Sequence, residues 1–145
     1  MGGVEVLSCA TVVAWAVTLC VIDLRRRRLP NGLTLPGAVA ILAGATAVGA
    51  GVPALLGGLA LSGLYLLVHL TDPVGMGAGD VKLALGLGAL TGAYGIPVWV
   101  LGALGAALLT AIIGGVSALR HRSSCVPHGP SMCAASLAAI SLAMF

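Results

Sequence analysis

The chain has 145 residues, 59% of them hydrophobic and only 8% charged, with a net charge of +3 and a mean hydropathy of +1.14. A soluble domain carries about 25% charged residues, so a soluble fold is excluded. The seven basic residues sit in short loop or helix-end positions. No basic face with interleaved aromatics exists, which excludes nucleic-acid binding. The composition predicts an all-α integral membrane protein in a single domain over residues 1–145, rich in the Gly and Ala that let helices approach closely in lipid.

Residues 4–23 form the first predicted span, long enough for roughly 30 Å of helix. The segment lacks the basic start of a signal peptide and carries Glu5 there instead. Arginines follow the apolar run, the arrangement of a span that stays in the membrane. Asp23 ends it. Arg25-Arg26-Arg27-Arg28 reads as a cytoplasmic anchor that also holds anionic membrane lipids. Pro30 breaks the helix, and Asn31 suits a turn or the cap of the next one. A second span is expected over residues 33–51, a turn at Val52-Pro53, and a third span over residues 54–70. Thr71-Asp72-Pro73 ends that helix, because the residue before proline is disfavoured in helical geometry.

Residues 81–93 are apolar but give only about 20 Å of helix, short of a ~30 Å hydrocarbon core. Asp80 and the glycines before it are therefore expected to enter the membrane. Gly92-Ala93-Tyr94-Gly95 turns the chain, and residues 96–119 form a fifth span closed by Arg120-His121-Arg122. Pro127-His128-Gly129-Pro130 opens a sixth that runs to Phe145. Six spans put every Lys and Arg on one side, which the positive-inside rule makes cytoplasmic, with both ends of the sequence on the other.

The four acidic residues are Glu5, Asp23, Asp72 and Asp80. A charge at membrane depth costs at least ~2.5 kcal/mol on insertion scales, which makes such a residue a functional candidate by default. Asp23 and Asp80 meet the same membrane face and are expected to pair. Two carboxyls in a low-dielectric site do not both ionise cheaply, and their protons belong to the pair. One general base and one general acid result, which suits a water attacking a peptide carbonyl as in aspartic proteases. From spacing alone the pair equally suits a proton relay in a carrier.

Gly75, Gly77 and Gly79 are expected to unwind the backbone just before Asp80, leaving groups that an extended peptide could pair with. Ala84 and Gly88 continue from Asp80 at four-residue spacing, a small-residue stripe for a neighbouring helix, with the first span as a candidate. Lys82 reads as an interfacial anchor or a substrate contact. Asp72 reads as a solvated helix-end residue and is the alternative second acid. His69 is expected at the interface, and Glu5 too far off to pair. Cys9, Cys20, Cys125 and Cys133 form no C-x-x-C pair and read as isolated apolar residues, with a metal set of His121, Cys125, His128 and Cys133 as the alternative. No metal or cofactor is expected.

Gly77-Ala78-Gly79-Asp80 is a G-x-G-D motif, and residues 75–92 resemble the second catalytic segment of the type IV prepilin peptidase family. Asp23-Leu24 followed by Leu29-Pro30-Asn31 is similar to that family's first catalytic segment. Pro127-His128-Gly129-Pro130 resembles the proline–glycine turn that opens its last helix. Three segments in order carry the resemblance over almost the whole chain. It implies a bundle of six transmembrane helices of the GxGD aspartyl-protease type, an intramembrane endopeptidase related in mechanism to presenilin. Asp23 and Asp80 would be its catalytic aspartates, with Gly77, Gly79 and Lys82 in the active-site loop or against substrate.

The resemblance further implies prepilin or pseudopilin substrates, cut behind a short basic leader, usually after a glycine, at the cytoplasmic face of the inner (plasma) membrane. Larger bacterial members carry an extra cytoplasmic domain with paired cysteines and methylate the new N-terminus. This sequence looks like the short members found with tight-adherence (Flp-type) pilus systems, so methyl transfer is not expected. His128 stands where an aromatic is common, which implies an effect on substrate fit and not on the chemistry. Two alternatives stand beside this reading: a small proton-coupled carrier using the same aspartates, and a non-catalytic pilus-assembly scaffold of the same fold. A carrier is expected to line its path with polar residues, and the predicted span interiors have almost none.

Overall fold

A computed structural model of the chain describes residues 3–26, 29–120 and 128–144, with side chains from Ser8 onward. Six α-helices follow in order: α1 (Gly3–Arg26), α2 (Asn31–Ala47), α3 (Gly51–Thr71), α4 (Ala78–Ala93), α5 (Ile96–Leu119) and α6 (Gly129–Met144). Among the described residues all regular structure is α-helical. Three stretches, Ser8–Arg26, Gly51–Thr71 and Ile96–Leu119, are long and apolar enough to cross a membrane, and Asn31–Ala47 and Gly129–Met144 are shorter apolar helices. Leu56, Leu59 and Leu67 on α3, and Leu101, Leu104, Leu108 and Ile112 on α5, are exposed. An apolar exterior of that extent belongs in lipid, not water.

Helix α1 runs past Asp23 to Arg26, and two further boundaries differ from expectation for reasons of backbone chemistry. The turn after α2 falls at residues 48–50, where Gly49 takes φ +80°, and not at Val52-Pro53. Pro53 lies inside the first turn of α3, where a helix N–H has no intrahelical acceptor and its loss costs little. Helix α4 begins at Ala78, so Asp80 lies within its first turn. The non-helical backbone is confined to residues 72–77, and Gly79 is helical. Gly95, at φ +106°, makes the sharp turn from α4 into α5.

Helix α4 is the centre of the bundle and packs against α2, α3, α5 and α6. Its most extensive partner is α3, and glycine is the reason the two come so close. A Cβ on Gly57 would fall 2.5 Å from the Gly88 carbonyl oxygen, one on Gly88 2.6 Å from that of Gly57, and one on Gly92 2.7 Å from that of Pro53. Small residues thus bring the two backbones into direct contact. The small-residue stripe that includes Gly88 therefore meets α3 and not α1. Helix α1 packs instead along α6, and Trp15, Ala16 and Leu19 share a buried core with Leu83 and Leu87 of α4. Trp15 donates from Nε1 to the Leu33 carbonyl oxygen (2.9 Å). Its ring leaves no room for a side chain at Gly37 and would lie 3.0 Å from a Cβ on Gly86. Trp99 makes a similar bond across the other flank, from Nε1 to the Gly57 carbonyl oxygen (2.9 Å).

Candidate active site

Asp23 lies in the last turns of α1 and is buried, at 8% exposure. The start of α6 is built around it. Gly129, the first residue of α6, lies directly against the Asp23 carboxylate: a Cβ there would fall 2.5 Å from Asp23 Oδ2. The first N–H groups of a helix have no acceptor within it, and the helix dipole favours an anion at that end. Asp23 supplies that anion from another helix.

Asp80 stands at the start of its own helix. With Gly77 as N-cap, Asp80 occupies the third helical position. Its N–H donates to the Gly77 carbonyl oxygen (3.0 Å), and its carboxylate lies beside Gly77, 3.7 Å from where a Cβ there would stand. A carboxylate in the first helical turn is favoured by the helix dipole. Each aspartate therefore sits at a helix N-terminus, and the two lie within electrostatic reach of one another. Cys133 lies within electrostatic reach of both and shares a core cluster with Cys20, so these two cysteines are not isolated. Residues 121–127, which include His121 and Cys125 of the alternative metal set, lie outside the described residues.

The segment after α1 joins the two aspartates. Leu29 is buried and lies over Gly79, where a Cβ would come within 3.1 Å of the Leu29 Cβ. The glycine at 79 thus serves close packing, not unwinding. Two residues further on, Asn31 Oδ1 accepts from Lys82 Nζ (2.7 Å), so Lys82 is engaged by the start of α2. At Gly77 a Cβ would find only ordinary contact, 3.7 Å from Asp80 Oδ2.

The remaining candidates have structural tasks. Asp72 caps the end of α3, accepting from the Gly75 N–H (2.9 Å). His69 Nδ1 donates to the Met76 carbonyl oxygen (2.6 Å), which ties the 72–77 connection back onto α3. Sequence reasoning missed Tyr65 and Thr110. Tyr65 is buried in the middle of α3, and its hydroxyl lies 2.6 Å from His128 Nε2. Thr110 Oγ1 lies 2.5 Å from His128 Nδ1. The available signal was a phenol inside an otherwise apolar helix, since a buried tyrosine hydroxyl usually finds a partner.

Comparison with known sequences identifies the family. The sequence profile of the type IV leader peptidase family matches residues 10–118, and the chain belongs to that family. Both Asp23 and Asp80 fall within the matched stretch. The prepilin leader peptidase/N-methyltransferase of Aeromonas salmonicida (strain A449) is 39% identical over 132 residues, covering 83% of this chain and 44% of the relative. The protein of the same description from Aeromonas hydrophila is 38% identical with the same coverage. The chain thus spans less than half the length of the curated relatives it matches. No solved structure gives a significant match.

Proposed function

From membership of the type IV leader peptidase family, we propose that this chain is an intramembrane aspartyl endopeptidase in which Asp23 and Asp80 are the catalytic pair. The observation that carries the reading is that pair: two aspartates from separate helices, Asp23 against the first residue of α6 and Asp80 in the first turn of α4, within electrostatic reach of one another. In the reaction, one carboxylate takes a proton from a water as the water attacks the scissile carbonyl carbon. The other, protonated, donates to the carbonyl oxygen. As the diol collapses, the first carboxyl gives the proton it took from water to the amide nitrogen and the C–N bond breaks, while the second recovers its proton from a diol hydroxyl; carboxylic acid and amine leave, and the pair ends with its single proton restored. Helix N-termini suit this work because their dipoles are already oriented toward the charge.

The substrate in this reading is the basic leader of a type IV prepilin or pseudopilin, of the Flp type, cut at the cytoplasmic face of the inner membrane. All six helices cross the membrane as one GxGD-type domain. The clustered arginines and Lys82 support that orientation. Two buried threonines weigh against a carrier. Thr34 and Thr91 bond to carbonyl oxygens of Pro30 and Leu87, one turn back in the chain, and so build no path.

The test is leader cleavage in membranes that co-express the chain with a pilin precursor from the same genome, read by mass. Cleavage by the wild type, and by neither Asp23→Asn nor Asp80→Asn, is the expected result. An added methyl mass on the new N-terminus is read in the same spectrum. Intact precursor with the folded wild type would favour the scaffold or the carrier. Cleavage that survives Asp23→Asn alone would make Asp72 the second acid.

A further inference from the structure

His128 joins three helices at the one point where the backbone next to it touches Asp23. Its ring stands between α3 and α5, with the Tyr65 hydroxyl 2.6 Å from Nε2 and the Thr110 hydroxyl 2.5 Å from Nδ1. A neutral imidazole has one N–H and one lone pair, so one hydroxyl accepts and the other donates. Both ring nitrogens are thereby used, and the ring plane is set by two partners on opposite sides. The Tyr65 ring adds a contact at 5.3 Å between centroids.

The backbone of the same residue opens α6. The His128 carbonyl oxygen accepts from the Met132 N–H (3.1 Å), the first bond of that helix. The next residue is Gly129, which lies directly against the Asp23 carboxylate. On the other side of the clamp, Tyr65 lies within electrostatic reach of Asp80. His128 and Tyr65, which belong to neither helix bearing the aspartates, thus stand between the surroundings of the two.

We propose that His128 is a positioning residue for the aspartate pair: clamped by the Tyr65 and Thr110 hydroxyls, it fixes the start of α6 and so holds Gly129 against the Asp23 carboxylate. The inference rests on the peptidase reading above. It gives His128 a place in the chemistry, where the family resemblance implied substrate fit. The hydrogen bonds matter here and not the ring's bulk, so a phenylalanine in its place would fill the site without holding it.

The experiment measures cleavage of the pilin precursor by the wild type, His128→Phe, His128→Gln, Tyr65→Phe and the Tyr65→Phe/His128→Phe double variant in membranes. Melting in detergent checks the fold. The expected result is a fall in kcat of about tenfold for His128→Phe with KM unchanged, a similar fall for Tyr65→Phe, and no further loss in the double variant, because both break one clamp. His128→Gln, which keeps a donor and an acceptor, recovers part of the rate. Should His128→Phe fail to fold, Tyr65→Phe removes one oxygen only and carries the test, with loss of kcat expected and wild-type kcat contrary. A rise in KM alone would overturn the proposal in favour of substrate fit, and losses that multiply in the double variant would overturn the shared clamp. A wild type that cleaves beside an equally active His128→Phe overturns this inference alone. A folded wild type that leaves the precursor intact overturns the peptidase reading, and this inference with it.

Discussion

Leu29 lies against Gly79 so closely that a methyl group on the glycine would stand 3.1 Å from the Leu29 Cβ. The contact joins the connection after the Asp23 helix to the first turn of the Asp80 helix. The relative position of the two aspartates thus depends on a glycine that touches neither carboxylate of the pair through a side chain of its own. A second tie, from Lys82 to Asn31, runs beside it.

Gly79→Val puts two methyl groups where Leu29 packs, and the Leu29 segment has to lift. Cleavage is expected to fall at least ~10-fold, since small displacements of reacting groups are costly to rate. Gly114→Ala, a helical glycine with no atom within 4 Å of its added Cβ, is the matched control and is expected to cleave at the wild-type rate. Equal rates for the two variants would show that the Leu29 contact does not set the site.

Gly129→Ala addresses the other carboxylate. Its Cβ would lie 2.5 Å from Asp23 Oδ2 and 3.2 Å from Asp23 Cγ, so Asp23 has to turn away from the α6 N-terminus. Alanine is a better helix former than glycine, and the bundle is expected to remain folded. A loss of about 100-fold in cleavage, with the melting temperature in detergent unchanged, is the expected outcome. A variant that melts early and cleaves normally when folded would assign Gly129 to packing alone.

Much of this arrangement can be read from the sequence, and the parts that cannot share a cause. Six apolar runs punctuated by Pro, Gly and Arg yield six helices, and α5 has the bounds that its flanking turn and basic residues predict. Pro53 misleads because proline signals both a turn and a helix start; the turn itself belongs to Gly49, the residue with positive φ. The stripe at Ala84 and Gly88 announces a close neighbour but carries no address for it, so α3 and α1 are equally good choices before the bundle is seen. Leu29 on Gly79, Cys20 beside Cys133, and Tyr65 with His128 are contacts between residues far apart in the chain. No local period or motif encodes such a contact, and only the packing of the helices brings the partners together.

Lys82 offers a sharper choice between two roles. Its ammonium is held by Asn31 at the exposed edge of the bundle, and an exposed bond of that kind contributes little. If that tie is its whole role, Lys82→Met and Asn31→Ala have the same small effect on cleavage, less than about threefold, and the double variant adds nothing. A KM that rises for Lys82→Met while Asn31→Ala stays at the wild-type value would assign the lysine to the substrate.

The last prediction concerns α4, whose 16 residues give about 24 Å of helix against a hydrocarbon core of ~30 Å. A lone helix of that length would have to thin the bilayer. This one is enclosed by α2, α3, α5 and α6, with Leu83, Ala84 and Leu87 almost wholly buried. Its middle therefore meets protein, whereas residues 72–75 and 77 ahead of it are exposed. Helix α4 is accordingly expected to cross. Topology reporters fused after Thr71 and after Arg120 should report the cytoplasm, and those fused after Val48 and after Tyr94 the opposite side. Reporters after Thr71 and Tyr94 that land on the same side would make α4 a re-entrant element. That result would put α5 in the opposite orientation and break the agreement between helix count and basic residues.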